Sequence, residues 1–221
     1  MNDIITTHDG SHSVYSNKYK ASYHSNFGAI EEAITVFLSA GFDAKRISAV
    51  NNQMRILEMG FGSGLNAFLS YIHNLKYQLD VVYHSIESDP LSEENWKALN
   101  YSEILGHTEI FDMMHREPWN SDIVLSDSFT LKKIHSKIEE LELEAESYDI
   151  IYYDAFAPSC QSFLWTEEIH IPIYNALKPN GILVTYCAQG KFKRMLKDIG
   201  YAIESLPGPS KKKEMTRAVK L

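Results

Sequence analysis

Residues Arg55 to Asn66 read RILEMGFGSGLN, and this stretch constrains the fold more than any other. A short apolar run, Ile56 and Leu57, ends in an acid, Glu58. Three glycines, Gly60, Gly62 and Gly64, then alternate with other residues before a helix-forming stretch, Leu65 to Leu69. Such a pattern predicts a buried strand turning sharply into a helix. Glycine is needed where the backbone takes positive φ or where a ligand must lie against it with no Cβ in the way. The functional expectation is a nucleotide-type cofactor across the first strand–helix turn of a parallel sheet. A plain tight turn is the alternative, and the rest of the chain must decide.

Spacing narrows the cofactor. A dinucleotide fingerprint, G-x-G-x-x-G, would need its third glycine at position 65, which is Leu65. The pattern that stands there, E-x-G-x-G-x-G, is the one associated with S-adenosylmethionine (SAM). That molecule has no phosphate, but it carries an amino group that Glu58 at the strand end could meet.

Strands and helices alternate from that point on. Strands are expected at Met54–Met59, Asp80–Ile86, Asp122–Leu125, Tyr148–Tyr153, Ile182–Cys187, Tyr201–Ser205 and Met215–Leu221. Helices are expected at Leu65–Leu75, Ser92–Asn100, Thr130–Glu146, Thr166–Leu177 and Lys191–Gly200, with residues 101 to 121 irregular. Ahead of them, Gly28–Gly41 places Ile30, Ile34, Phe37 and Leu38 on one face and reads as an amphipathic helix closed by glycine. Residues 1 to 27 read as a short hairpin or extended cover. The expectation is a Rossmann-like α/β fold: a mostly parallel sheet with helices on both faces and an N-terminal cover. At 221 residues it reads as one domain, with 1–53 as cover and helix and 54–221 as core.

Composition excludes several classes. The chain is 44% hydrophobic and 23% charged, ordinary for a globular protein. No apolar run approaches a membrane span, and the N-terminus lacks a signal-peptide pattern. Two cysteines, Cys160 and Cys187, make neither a disulfide framework nor a metal site, which suits a cytoplasmic protein. The net charge of −8 is unevenly spread: from Lys191 to Leu221 nine Lys/Arg face three acids, a local +6 against −14 elsewhere. Such asymmetry fits either a basic patch for a polyanion or a solvated basic surface.

Four acids stand at expected strand ends: Glu58, Glu87, Asp127 and Asp154. In sheets of this kind ligands bind beyond the carboxyl ends of the strands. Glu87 follows the glycine turn by the interval at which an acid grips ribose hydroxyls, and Asp127 is expected to accept from the adenine amine. Asp154, in YYDAFAPSCQSFLW, ends the strand beside the first, with Phe156, Pro158 and Trp165 as rigid apolar surface around it. A turn Pro and a core Trp would explain the last two without any function.

The stretches YHSNFGAIEEA, ILEMGFGSGLNA, YYDAFAP…LW, LKPNGILVTYCAQGKFKRML and GPSKKKEM resemble stand-alone MnmD-type methyltransferases. These are homologues of the methyltransferase half of the bifunctional MnmC enzyme, and the resemblance spans about Asp9 to Leu221. It implies methyl transfer from SAM to the amine of 5-aminomethyl-(2-thio)uridine at the tRNA wobble position. It also implies that Gly60 and Gly62 line the methionine part of SAM, that Glu87 and Asp127 hold ribose and adenine, and that Asp154 is the active-site acid, with Phe156 and Pro158 beside it. Gly64 and Asn66 belong to the same cofactor turn, and Tyr23 and His24 are candidates to line the uridine pocket. Lys211, Lys212, Lys213 and Arg217 are candidates for the tRNA backbone. Gln161 and Ser162 stand where many members have Asn-Pro, and the chain ends without the FAD-dependent oxidase half. Two other readings suit acids at strand ends: a small-molecule amine methyl- or aminopropyltransferase, and a non-catalytic SAM- or tRNA-binding module.

Overall fold

A computed structural model describes residues 2–209 and 213–221. The chain opens with a small antiparallel sheet of β1 (Asp3–Thr6), β2 (His12–Ser16) and β3 (Ala21–Ser22). A continuous helical segment follows: α1 (Ala29–Ala33), a π-helical stretch Ile34–Phe42, and α2 (Asp43–Arg46). The main sheet holds β4 (Gln53–Met59), β5 (Asp80–Glu87), β6 (Asp122–Ser126), β7 (Phe129–His135), β8 (Tyr148–Tyr153), β9 (Leu177–Thr185), β10 (Tyr201–Pro207) and β11 (Glu214–Lys220). Its order is β10-β11-β9-β8-β4-β5-β7-β6. Strands β9, β8, β4, β5 and β7 are mutually parallel, and β6 and β11 run against them.

Apolar runs such as YDIIYY in β8 are buried on both sides, as a covered parallel sheet requires. One face is covered by α3 (Leu65–Asn74) and the long N-terminal helical segment, which bring Phe37, Phe42 and Phe68 against Tyr83 and Tyr152. The other is covered by α7 (Glu167–Ala176) and α8 (Gly190–Ile199), with Ile173, Phe192 and Leu196 against Leu57, Ile151 and Tyr153. The helices after β4 and β8 thus leave to opposite faces. That divergence opens a crevice at the carboxyl ends of two neighbouring strands.

Four expectations are corrected. Thr130–Glu146 is no helix: it is strand β7, then a 3-10 turn at Ile138–Glu140, then extended chain. The LELE alternation there has period two, and Ile138, Leu141 and Leu143 pack on the second face. Residues 101 to 121 are not irregular but carry α5 (Tyr101–Leu105) and α6 (Thr108–Arg116), after α4 (Glu93–Lys97). Gly106 and His107, both at positive φ, separate the two and break the period. A fully buried Lys133 donates to the carbonyls of His115 (3.0 Å) and Glu117 (2.8 Å) at the end of α6, and burial lowers its pKa to about 8. Strand β9 begins at Leu177, so LKPNG lies within it.

Gly41, expected to cap a helix, lies inside the helical segment instead. A Cβ there would sit 2.9 Å from Tyr152 and 3.2 Å from Val184, so glycine permits close packing of the segment on the sheet. Ala in place of a helical Gly ordinarily stabilises by about 1 kcal/mol, whereas overpacking a core costs about 1–3 kcal/mol. The expected result of Gly41→Ala in urea unfolding is therefore net destabilisation; a stabilised variant would contradict this packing.

Candidate active site

The turn after β4 is set by backbone contacts. Gly60 and Phe61 both donate their N–H to the Ile86 carbonyl, and Asp154 donates its N–H to the Met59 carbonyl at 3.1 Å. Gly60 has φ +96, and a Cβ there would stand 3.0 Å from the Asp154 carbonyl oxygen, so the turn and the end of β8 approach too closely for any side chain. Gly62 N–H donates to Glu87 Oε2 at 3.0 Å, and Asp89 N–H donates to Glu87 Oε1 at 2.8 Å. Glu87 therefore ties the glycine turn to the end of β5 while keeping lone pairs for a further donor.

A cleft of about 700 Å³, including its open mouth, runs along this turn. Its walls include Met59 to Ser63, Leu65, Asn66, Ile86 to Asp89, and Asp154 to Phe156. The N-terminal sheet supplies the roof through Tyr19, Tyr23 and His24, with Gln161 and Leu164 at the far side. Tyr23 packs edge-on against Phe156 (centroids 5.1 Å apart), and Tyr19 tilts against the same ring at 4.7 Å. Burial, helped by Glu87, pushes the Tyr23 phenol up, so it stays neutral. The roof is anchored at both ends: His12 N–H donates to Asn100 Oδ1 (2.8 Å), and Lys18 pairs with Asp89 (2.8 Å). Bare glycine backbone, a carboxylate on the rim and mixed apolar walls fit a nucleoside-sized cofactor without phosphate.

Asp154 lies at the junction of turn and roof. Asn66, in the first turn of α3, donates its Nδ2–H to Asp154 Oδ2 at 2.9 Å and fixes that carboxylate at the cleft wall. Thus Asp154, Gly60, Gly62, Asn66, Glu87, Tyr23, His24 and Phe156 come together, in line with the sequence pattern.

The other candidates do not join them. Asp127 sits in the turn between β6 and β7, at the end of the sheet where β5 begins; Val81 pairs with Phe129, whereas Glu87 pairs with His135. A strand of eight residues separates the two ends by about 25 Å, so Asp127 cannot share a ligand with Glu87. Asp122–Leu125 has the composition of a parallel strand, but β6 is an antiparallel edge and its end therefore points the other way. Glu58 is fully buried and accepts from Ser85 Oγ (2.6 Å) beneath the turn, away from the cleft. Gly64 turns away too: a Cβ there would meet His115 Nε2 at 2.9 Å. Trp165 is 8% exposed and donates its indole N–H to the Phe156 carbonyl (2.8 Å), supporting the loop from below, and Pro158 does not line the cleft. Lys211 and Lys212 lie outside the described residues. Lys213 is exposed, while Arg217 is held by Glu204 and the Ala40 carbonyl. The roof residue Tyr19 had no signal beyond a polar, aromatic N-terminus.

Burial raises the Glu58 carboxyl pKa to about 8 from an ordinary 4.5, against the opposing Ser85 hydrogen bond. A group whose folded pKa is raised takes up a proton on folding across that interval. Its stabilising contribution is full below the unfolded value and disappears as pH rises through the folded one. Glu58→Gln keeps an acceptor for Ser85 and has no charge to bury. In urea unfolding between about pH 5 and pH 8 the wild type should lose stability relative to the variant as pH rises; parallel curves would contradict the buried neutral acid.

A family model described as S-adenosyl-L-methionine-dependent methyltransferase matches residues 108–221. An uncharacterized protein of Methanocaldococcus jannaschii is 25% identical over 98% of this chain and 59% of its own length. The tRNA 5-methylaminomethyl-2-thiouridine biosynthesis bifunctional protein MnmC of Campylobacter hominis is 29% identical over 93% of this chain and 31% of its own length. The chain thus spans about a third of such bifunctional relatives. The crystal structure of MnmC2 from Aquifex aeolicus superposes with a TM-score of 0.82 at 24% identity, covering 99% of this chain and 69% of that one, and shares the fold. With its family model matched over more than half of its length, the chain belongs to the S-adenosyl-L-methionine-dependent methyltransferases.

Proposed function

We propose that this methyltransferase methylates the primary amine of 5-aminomethyl-(2-thio)uridine at the wobble position of tRNA, giving 5-methylaminomethyl-(2-thio)uridine. The observation that carries the reading is the position of Asp154: it is held by Asn66 at the wall of the glycine-turn cleft and borders a second cavity on its other side. Similarity to MnmC proteins over nearly the whole chain supports the choice of substrate.

In this reading Gly60, Gly62 and Asn66 hold the methionine part of SAM, and Glu87 holds the ribose. When bound, SAM supplies a methyl group on a positively charged sulfur. The acceptor amine resembles a lysine, with a pKa of about 10, and its protonated form has no lone pair with which to attack. Asp154 would accept a hydrogen bond from the amine N–H, point the nitrogen lone pair toward the methyl group, and stabilise the positive charge that grows on nitrogen as its bond to the methyl carbon forms and the carbon–sulfur bond breaks, its electron pair leaving with sulfur as a neutral thioether. An anion alongside raises the amine's pKa, so Asp154 acts chiefly by orientation and charge stabilisation. Alignment of the reacting atoms supplies much of the rate.

For the polyanion, Lys191, Arg194 and Lys197 stand exposed on α8, which follows the carboxyl end of β9, and Lys213 is exposed as well. They take the role that Arg217, tied to Glu204, fits poorly.

Asp154→Ala is expected to bind SAM with near wild-type affinity and to lose about 100-fold or more in transfer of labelled methyl to tRNA; near wild-type turnover would refute the assignment. Reversing Lys191, Arg194 and Lys197 to Glu should weaken tRNA binding and reduce the salt slope by about one for each phosphate no longer neutralised. An unchanged slope would return these residues to plain solvated surface.

A further inference from the structure

Asp154 sits at the head of a short loop whose backbone is held from several sides. Its N–H donates to the Met59 carbonyl at 3.1 Å, and its own carbonyl oxygen faces Gly60, where a Cβ would stand 3.0 Å away. The next two carbonyls each accept from a ring donor brought by another part of the fold. Tyr186, the first residue after β9, donates its hydroxyl hydrogen to the Ala155 carbonyl at 2.8 Å, and Trp165 donates its indole N–H to the Phe156 carbonyl at 2.8 Å. Strands β8 and β9 pair Tyr152 with Val184, so two residues further on Tyr186 stands level with Asp154. The Tyr186 and Trp165 rings meet edge to face, with centroids 6.3 Å apart. Burial, helped by the charge of Asp154, pushes the Tyr186 phenol up, so it keeps its proton and stays a donor.

We propose that Tyr186 is a positioning residue for methyl transfer: its bond to Ala155 sets the direction in which Asp154 presents its carboxylate to the acceptor. The inference rests on the reading above, in which Asp154 meets the amine. Peptide units are planar, so a bond at the N–H or the carbonyl fixes the whole unit. The unit before Asp154 is fixed at Met59, the unit after it is confined by Gly60, and the next is fixed by Tyr186. With those three units set, so is the Cα–Cβ direction of Asp154, and Asn66 holds the far end of the side chain. Ala155 is buried, and a buried carbonyl that loses its donor is costly, so its unit turns toward another donor or water. Such a turn carries the Asp154 backbone with it. A displacement of about 1 Å between reacting groups costs about 100-fold in rate. Trp165 extends the same support one residue further, behind the Phe156 ring that faces Tyr19 and Tyr23. Tyr186 thus acts through Asp154.

The test is a double-mutant cycle in the full chain, with labelled SAM and tRNA bearing 5-aminomethyluridine. Tyr186→Phe removes the hydroxyl and keeps the ring. It should lower kcat by about tenfold, with SAM affinity and the KM for tRNA near wild type. In the Asp154→Ala background the same substitution should change the rate by less than about twofold, because the group it positions is gone. A merely structural role would lower the rate by the same factor in both backgrounds. That result, a wild-type kcat in Tyr186→Phe, or a raised KM with unchanged kcat would overturn this proposal alone. Failure of the wild type to methylate that tRNA would remove the amine reading itself, and this proposal with it.

Discussion

The site depends on one close approach of backbone to backbone. At Gly60 the chain leaves β4 and passes so near the Asp154 carbonyl that a Cβ would stand 3.0 Å from it. That proximity fixes the distance between the glycine turn along the cleft and the strand end that bears Asp154. The Asp154 N–H bonded to Met59 and the Gly60 N–H bonded to Ile86 lock three neighbouring strand ends into one rim. Asn66 then spans from the first turn of α3 to the Asp154 carboxylate. Glycine turn and Asp154 are thereby held together as one unit, as the proposed alignment of two reactants would require.

Much of this was legible in the chain. The glycine alternation, the apolar strands and the acids at their ends identified the turn, Glu87 and Asp154, because those signals are local and have a period of their own. What failed was non-local. Nothing in LSDS says that β6 runs antiparallel at the sheet edge, and that single reversal carries Asp127 to the opposite end of the sheet. The acidic segment after β7 looked helical by composition, whereas the alternation of Leu141 and Leu143 with glutamates follows the sheet face it covers. Glu58 ends a strand, where a ligand acid is expected, yet its side chain turns inward to Ser85. Side-chain direction at a strand end depends on which face the next element covers, and that is a tertiary fact.

The N-terminal sheet has a larger part than a cover. It delivers Tyr19, Tyr23 and His24 to the cleft, and it is tied down by bonds between residues far apart in sequence. Asp9 Oδ2 accepts the Glu31 N–H at the start of α1, Asn100 pairs with both His12 and Gly10, and Lys18 pairs with Asp89. These bonds tie the N-terminal sheet to α1, to the loop before α5 and to the end of β5. The cleft and the cavity behind it share Tyr23 and His24 from this stretch, together with Asp154 and Phe156.

The central claim is that a primary amine on tRNA reaches the cofactor at Asp154. The most direct measurement incubates the protein with methyl-labelled SAM and two tRNA pools, one containing 5-aminomethyluridine and one from cells blocked before that step, followed by nucleoside analysis. The account predicts label only in the first pool, recovered as the 5-methylaminomethyl nucleoside. Equal label in both pools, or none in either while SAM still binds, would contradict it.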